Sequence, residues 1–179
     1  MKYIVLLRGI NISGKNKISM SELKSELDKN YQNVLTYLNS GNIILDGDKD
    51  KEYVMNDIYN IIKNRFNLDI PIFVITSSEL EDILKSSPKW WETSNKETYD
   101  NLIFIISPTK YEEVYNVIGE PKADIEQIME YNNSIFWTFD LKNYRKSIWW
   151  VKTVSTSIKD KITIRTANTI KKILELCAK

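Results

Sequence analysis

Two hairpin signals, one in each half of the chain, constrain its fold more than any other feature. Asn39-Ser40-Gly41 separates the β-rich runs Val34–Leu38 and Asn42–Leu45, and Asn132-Asn133 separates Ile125–Tyr131 from Ser134–Phe139. Gly and Asn accept the positive φ that tight hairpin turns demand. The flanks of the two hairpins match as well. Ahead of the first lie an apolar run, Tyr3–Ile10, and a capping box, Ser19-x-x-Glu22, opening a helix with Met20, Leu23 and Leu27 on one face. After it, Val54, Ile58, Ile61, Ile62 and Phe66 follow helical spacing. Pro71–Ile75 is then a strand with Pro at its first position, and Thr76-x-x-Glu79 caps a helix carrying Leu80, Ile83 and Leu84.

The second half repeats that order. Leu102–Ile106 is a strand, Tyr111–Ile118 a helix closed by Gly119, and the hairpin follows. A helix is expected from about Arg145 to Ser157, against the preference of Val151, Thr153, Val154 and Thr156. Lys161–Arg165 reads as a strand and Ala167–Lys179 as a terminal helix capped by Thr166. Each half is β-α-β-β-α-β followed by one helix, the split βαβ order of a ferredoxin-like unit. The expected class is α+β, with two duplicated ferredoxin-like subdomains packed together. They would span 1–88 and 99–179, joined by a connecting loop at 89–98.

Composition excludes several chemistries. There is no histidine in the 179 residues, which removes Ser-His-Asp and Cys-His catalysis and His-ligated zinc. The one cysteine, Cys177, forms no intramolecular disulfide and falls on the apolar face of the last helix with Ile170, Ile173 and Leu174. It reads as a buried, inert thiol. No apolar run reaches the ~18 residues of a membrane span, and the start lacks a secretory pattern, so a cytoplasmic protein with no membrane partner is expected. Asp46, Asp48, Asp50 and Glu52 alternate like the start of a calcium loop, but Lys51 stands where glycine is needed. They read as a solvated acidic turn. No metal and no cofactor is expected.

Charge is segregated although the net value is only +1. Residues 1–17 hold Lys2, Arg8, Lys15 and Lys17 and no acid, while residues 142–172 hold nine bases against Asp160. If the fold joins these stretches in one cleft, an anionic partner is concentrated there. Gly9-Ile-Asn-Ile-Ser-Gly14-Lys15-Asn16 matches a phosphate-cradling GxxxxGK loop except at Asn16, where a hydroxyl should meet Mg²⁺. Ser19 caps the next helix four residues past Lys15, and the following strands form a hairpin, so a P-loop NTPase is not expected. A looser anion nest around Gly14-Lys15-Asn16-Lys17 is. Trp90-Trp91 and Trp149-Trp150 each put at least one ring near the surface. With Lys89, Lys146 and Lys152 beside them, these rings suit stacking on single-stranded bases, but packing is the commoner use of tryptophan.

Leu6-Leu7-Arg8-Gly9-Ile10-Asn11, Gly14-Lys15-Asn16, Met20-x-x-Leu23 and Thr36-Tyr37-x-x-Ser40-Gly41-Asn42 resemble the opening signature of the domain of unknown function 1697 family. Ile162-Thr163-Ile164-Arg165-Thr166-Ala167-Asn168-Thr169-x-Lys171 is similar to its closing signature, departing from it at Thr166 and Ala167. The resemblance implies a duplicated α+β fold and carries no established activity. Residues and resemblance together nominate Arg8, Asn11, Lys15, Lys17, Ser40, Asn42, Arg165 and Asn168 as anion contacts; Ser40 and Asn42 also read as turn scaffolding. The expected function is non-enzymatic binding of a phosphate-bearing small molecule or nucleic acid in a basic cleft. An enzyme handling a phosphorylated small molecule without histidine, and a protein-interaction module using the Trp pairs, are the alternatives. No catalytic residue is assigned.

Overall fold

Apolar runs too short to be helices become strands in the centre of sheets, and the capped, amphipathic stretches become helices against them. A computed structural model describes residues 1–92 and 95–179. In chain order it contains β1 (Lys2–Leu7), α1 (Met20–Leu27), β2 (Gln32–Tyr37), β3 (Asn42–Asp46), α2 (Lys51–Phe66), β4 (Ile72–Thr76) and α3 (Ser77–Lys85). These are followed by β5 (Thr98–Ile105), α4 (Tyr111–Ile118), β6 (Glu126–Tyr131), β7 (Ser134–Asp140), α5 (Ile148–Ser155), β8 (Ile162–Thr166) and α6 (Ala167–Cys177). The strands form two four-stranded antiparallel sheets, ordered β2-β3-β1-β4 and β6-β7-β5-β8, so the protein is α+β. Among the described residues no helix is long and apolar enough to cross a membrane.

The chain divides into two units, Met1–Glu81 with Lys172–Lys179, and Asp82–Lys171. In the first, β1 is the central apolar strand, and Tyr3, Val5 and Leu7 pack with Ile43 and Leu45 against Leu23, Leu27, Val54, Ile58 and Ile62. The starts of α1 and α3 follow the sequence signals, and that of α2 falls in the acidic turn. Ser19 Oγ accepts from Glu22 N at 3.3 Å, and Asp50 Oδ1 accepts from Tyr53 N at 2.8 Å. Thr76 and Glu79 cap α3 reciprocally, Thr76 N donating to Glu79 Oε2 at 2.9 Å and Glu79 N to Thr76 Oγ1 at 3.2 Å. Pro71 sits just before β4, where its carbonyl accepts from Arg8 N at 3.0 Å. Lys2 Nζ donates to the Cys177 carbonyl at 2.7 Å and ties the end of α6 to this unit. Burial pushes the Cys177 thiol up to about 11, which keeps it protonated and unreactive near neutral pH.

In the second unit Ile103, Ile105, Ile135, Trp137 and Phe139 pack against Val114, Ile118, Trp149 and Ile158. Asn132 and Asn133 both take positive φ, 48° and 57°, closing the β6–β7 hairpin. The helix expected over Arg145–Ser157 is broken in three. A 3-10 turn covers Tyr144–Lys146, α5 covers Ile148–Ser155, and a second 3-10 turn covers Ser157–Asp160. The breaks have side-chain causes. Ser147 is extended (φ −67°, ψ 127°) and its Oγ accepts from Trp150 N at 2.9 Å. Thr156 is also extended, its hydroxyl donating to Lys152 O at 2.7 Å, so hydroxyl-to-backbone bonding stops the helix.

Glu126 organises the start of α5. Only 2% exposed, its carboxylate accepts from Ile148 N at 2.8 Å, Lys122 N at 3.2 Å, Trp137 Nε1 and Trp149 N at 3.3 Å, and the Ser147 hydroxyl. A buried anion is tolerated because donors surround it and the positive end of a helix faces it.

Candidate anion-binding site

The segment joining β1 to α1 is held by left-handed residues rather than by regular structure. Gly9, Asn11, Ser13, Gly14 and Asn16 have φ of 69°, 54°, 49°, 78° and 46°. Asparagine tolerates this region because its side chain bonds nearby backbone. Asn16 Nδ2 donates to Gly9 O at 2.9 Å, Asn11 N donates to Asn16 O at 3.1 Å, and Lys15 N to Ile12 O at 2.9 Å. Asn11 is the fastener: Nδ2 donates to Ile18 O at 3.0 Å and Asn39 O at 2.9 Å, and Oδ1 accepts from Ile18 N at 2.9 Å. Both amide hydrogens are spent, so this side chain positions the loop against the β2–β3 turn. Replacing Asn11 by Ala should cost about 1–3 kcal/mol in urea unfolding, since it strands three backbone groups. An unchanged midpoint would show that the fastening contributes nothing.

Beside the loop lies an open cavity of about 650 Å³ lined by Asn11, Gly14, Lys17, Ile18, Ser19, Met20, Ser21 and Asn39. Its polar groups are the Lys17 ammonium, the Ser19 and Ser21 hydroxyls, which lie 2.9 Å apart, and two asparagine amides. None of these lining residues is an acid. The cavity opens at the N-terminal end of α1, where the helix dipole favours negative charge. The chain direction is not that of a P-loop: β1 pairs antiparallel with both β3 and β4, and α1 begins at Met20.

Of the residues nominated from sequence, Asn11 and Lys17 line this cavity. Lys15 is exposed on the same loop, and Arg8 is half-buried at the end of β1. Ser40 and Asn42 belong to the hairpin, where fully buried Asn42 donates through Nδ2 to Tyr37 O at 2.8 Å and Ser40 Oγ at 3.1 Å. Arg165 and Asn168 lie in the second unit. Arg165 is 8% exposed, and its Nη1 donates to Thr163 Oγ1 and Ile164 O, both at 2.9 Å; Asn168 is exposed in the first turn of α6. Ser19, Ser21 and Asn39 line the cavity without having been nominated. Ser19 is visible in the sequence only as a helix cap, and nothing local marks the other two.

The tryptophan pairs and the acidic turn divide between core and surface. Trp91 is buried, its Nε1 donating to Asn101 O at 2.8 Å, while Trp90 is half-buried; Trp149 is fully buried and Trp150 is exposed. Asp50 caps α2, and Asp46 accepts from Asn33 Nδ2 at 2.8 Å. Among the described residues no group of three His, Cys, Asp or Glu is placed to hold a metal.

Comparison with known proteins adds fold and family. The chain is similar over 98% of its length, and 98% of the other, to a conserved bacterial protein, SP0830 from Streptococcus pneumoniae, at 25% identity and a TM-score of 0.87. The first two RRM domains of yeast poly(U) binding protein Pub1 align over 93% of this chain and 99% of theirs at 10% identity, but a TM-score of 0.24 is no fold match. No curated protein matches. A family described as "Protein of unknown function (DUF1697)" matches residues 1–136, which spans the whole β1–α3 segment and the second unit as far as β7. The chain belongs to the DUF1697 family.

Proposed function

We propose that this protein is a non-enzymatic binder of a phosphate-bearing ligand, held in the cavity at the start of α1. One observation carries the reading: the lining offers the Lys17 ammonium, two hydroxyls and the Asn39 amide beside a helix N-terminus, and no carboxylate. Phosphate oxygens accept from all of these donors, and charge-assisted bonds to them are the stronger kind. A volume of about 650 Å³ suits a ligand of nucleotide size. Lys17 is the only titratable side chain in the lining, which favours binding over acid–base chemistry. Lys15, exposed on the same loop, adds to the local positive field.

The same reading takes the chain as two ferredoxin-like units related by duplication, residues 1–88 and 99–179 with 89–98 between them. It is supported by the strand orders, since β2-β3-β1-β4 and β6-β7-β5-β8 are the same arrangement in each half. It also places the protein in the cytoplasm, where a lone reduced thiol is the ordinary state.

Calorimetric titration with ATP and with inorganic pyrophosphate in about 50 mM salt tests the binding. Lys17→Ala should weaken either ligand roughly tenfold, the value of one charge-assisted bond, and added salt should weaken the native protein. No binding of either ligand at that salt, or equal affinity in the variant, would remove the reading.

A further inference from the structure

The second unit carries an exposed aromatic and cationic surface that its own core does not use. From Lys142 to Lys159 the sequence has five cations, Lys142, Arg145, Lys146, Lys152 and Lys159, and no acid. Helix α5 buries Trp149 and Thr153, but leaves Trp150 40%, Val151 47% and Val154 62% exposed on its other side. Trp150 is held in place by rings: Phe139 lies 5.4 Å from it between centroids and Tyr144 5.2 Å, edge-on at 83°. Tyr99, 39% exposed, continues the run through Phe139 at 5.5 Å. Arg145 lies 5.6 Å from the Tyr144 ring centre and donates from Nε to the Tyr144 hydroxyl at 3.0 Å. Among the described residues Arg145 and Lys146 have no ion-pair partner, whereas Lys142 is paired with Glu97 at 2.7 Å.

We propose that this face, centred on Trp150 with Arg145 and Lys146 beside it, binds single-stranded nucleic acid. The argument is complementarity of both charge and shape. Arg145 and Lys146, without an ion-pair partner among the described residues, favour an anionic partner even though Lys142 is bonded to Glu97 and Asp140 lies close by. An indole fixed with much of its surface in water favours a planar apolar one. An unpaired base on a phosphate chain supplies both, while a duplex hides its base faces. A bilayer would receive one indole and two valines from a helix of eight residues, too little apolar area for firm interfacial binding. The inference goes beyond the phosphate pocket and uses none of its residues.

All five tryptophans lie within Asp82–Lys171, so indole fluorescence reports on this unit alone. The full chain should show quenching on titration with the oligonucleotide (dT)12 at about 50 mM salt. Trp150→Ala should weaken (dT)12 about tenfold, in the range of one base–aromatic stack. Should that variant lose its fold by circular dichroism, Arg145→Glu with Lys146→Glu, both at exposed positions, carries the test. It should also lower affinity about tenfold, and flatten the plot of log K against log salt by about 1.4, or 0.7 per phosphate contact. Absence of (dT)12 binding, unchanged binding in the charge-reversed protein, or equal binding to a 12-base-pair duplex would overturn the proposal. So would binding of phosphatidylglycerol vesicles without binding of (dT)12. Loss of (dT)12 binding in Lys17→Ala but not in the Trp150 variant or the charge-reversed one would overturn it too, and would return the interaction to the pocket.

Discussion

Gly41→Ala should destabilise the protein by about 3–5 kcal/mol, with a matching fall in the urea midpoint. Two effects add. Gly41 has φ of 79°, a region that costs a residue with a side chain roughly 1–2 kcal/mol. A Cβ there would also lie 2.6 Å from Leu7 Cβ and 2.9 Å from Ile10 Cδ1, both in the buried core. Neither neighbour can withdraw cheaply, because Leu7 is on central strand β1 and its backbone N–H donates to the Gly41 carbonyl at 2.8 Å. Gly9 provides the control. Its φ of 69° is similar, but nothing lies within 4 Å of an added Cβ, so Gly9→Ala should show only the backbone cost of about 1 kcal/mol. Equal losses in the two variants would contradict the packing argument.

Glu126→Ala should be the most damaging change in the second unit, at about 3–5 kcal/mol. Removing the carboxylate strands the buried Trp137 Nε1 and the Ser147 hydroxyl, together with backbone N–H groups of Ile148 and Trp149 at the start of α5. Glu126→Gln separates shape from chemistry. It keeps the volume, but faces these donors with an NH₂ in place of one oxygen, so it should recover only part of the loss. Near-ultraviolet circular dichroism is the sensitive measurement, since Trp137 and Trp149 report on the packing that Glu126 anchors. A Glu126→Ala protein with native stability and native tryptophan signal would show that α5 starts without it.

Local signals carried much of the fold. Ser19, Thr76 and Thr166 cap helices because a short side-chain acceptor can reach an N–H two or three residues on, an effect confined to a few neighbouring residues. The Asn132-Asn133 turn is equally local. The break at Ser147 was not legible, since beside its local cap on Trp150 it is held by Glu126, some twenty residues earlier on β6. Arg145 to Ser157 therefore looks like one helix until β6 is placed beside it. The candidate site divides the same way. Lys17 stands out by charge and Asn11 by its place in the family signature, but Asn39 lines the cavity through a bond made across the fold, its carbonyl accepting from Asn11. Arg165 illustrates the reverse, a charge that looks available in sequence and lies buried on its own strand, bonded to Thr163.

The Gly9–Asn16 loop has a consequence for thermodynamics. Five of its residues hold left-handed backbone, and side-chain amides from within the loop close it. The conformational entropy of ordering it is thus lost during folding rather than on association. An anion arriving beside a loop closed in this way would bind with less added penalty for ordering the chain, and its affinity would be governed by how well its oxygens match Lys17 and the hydroxyls at the start of α1.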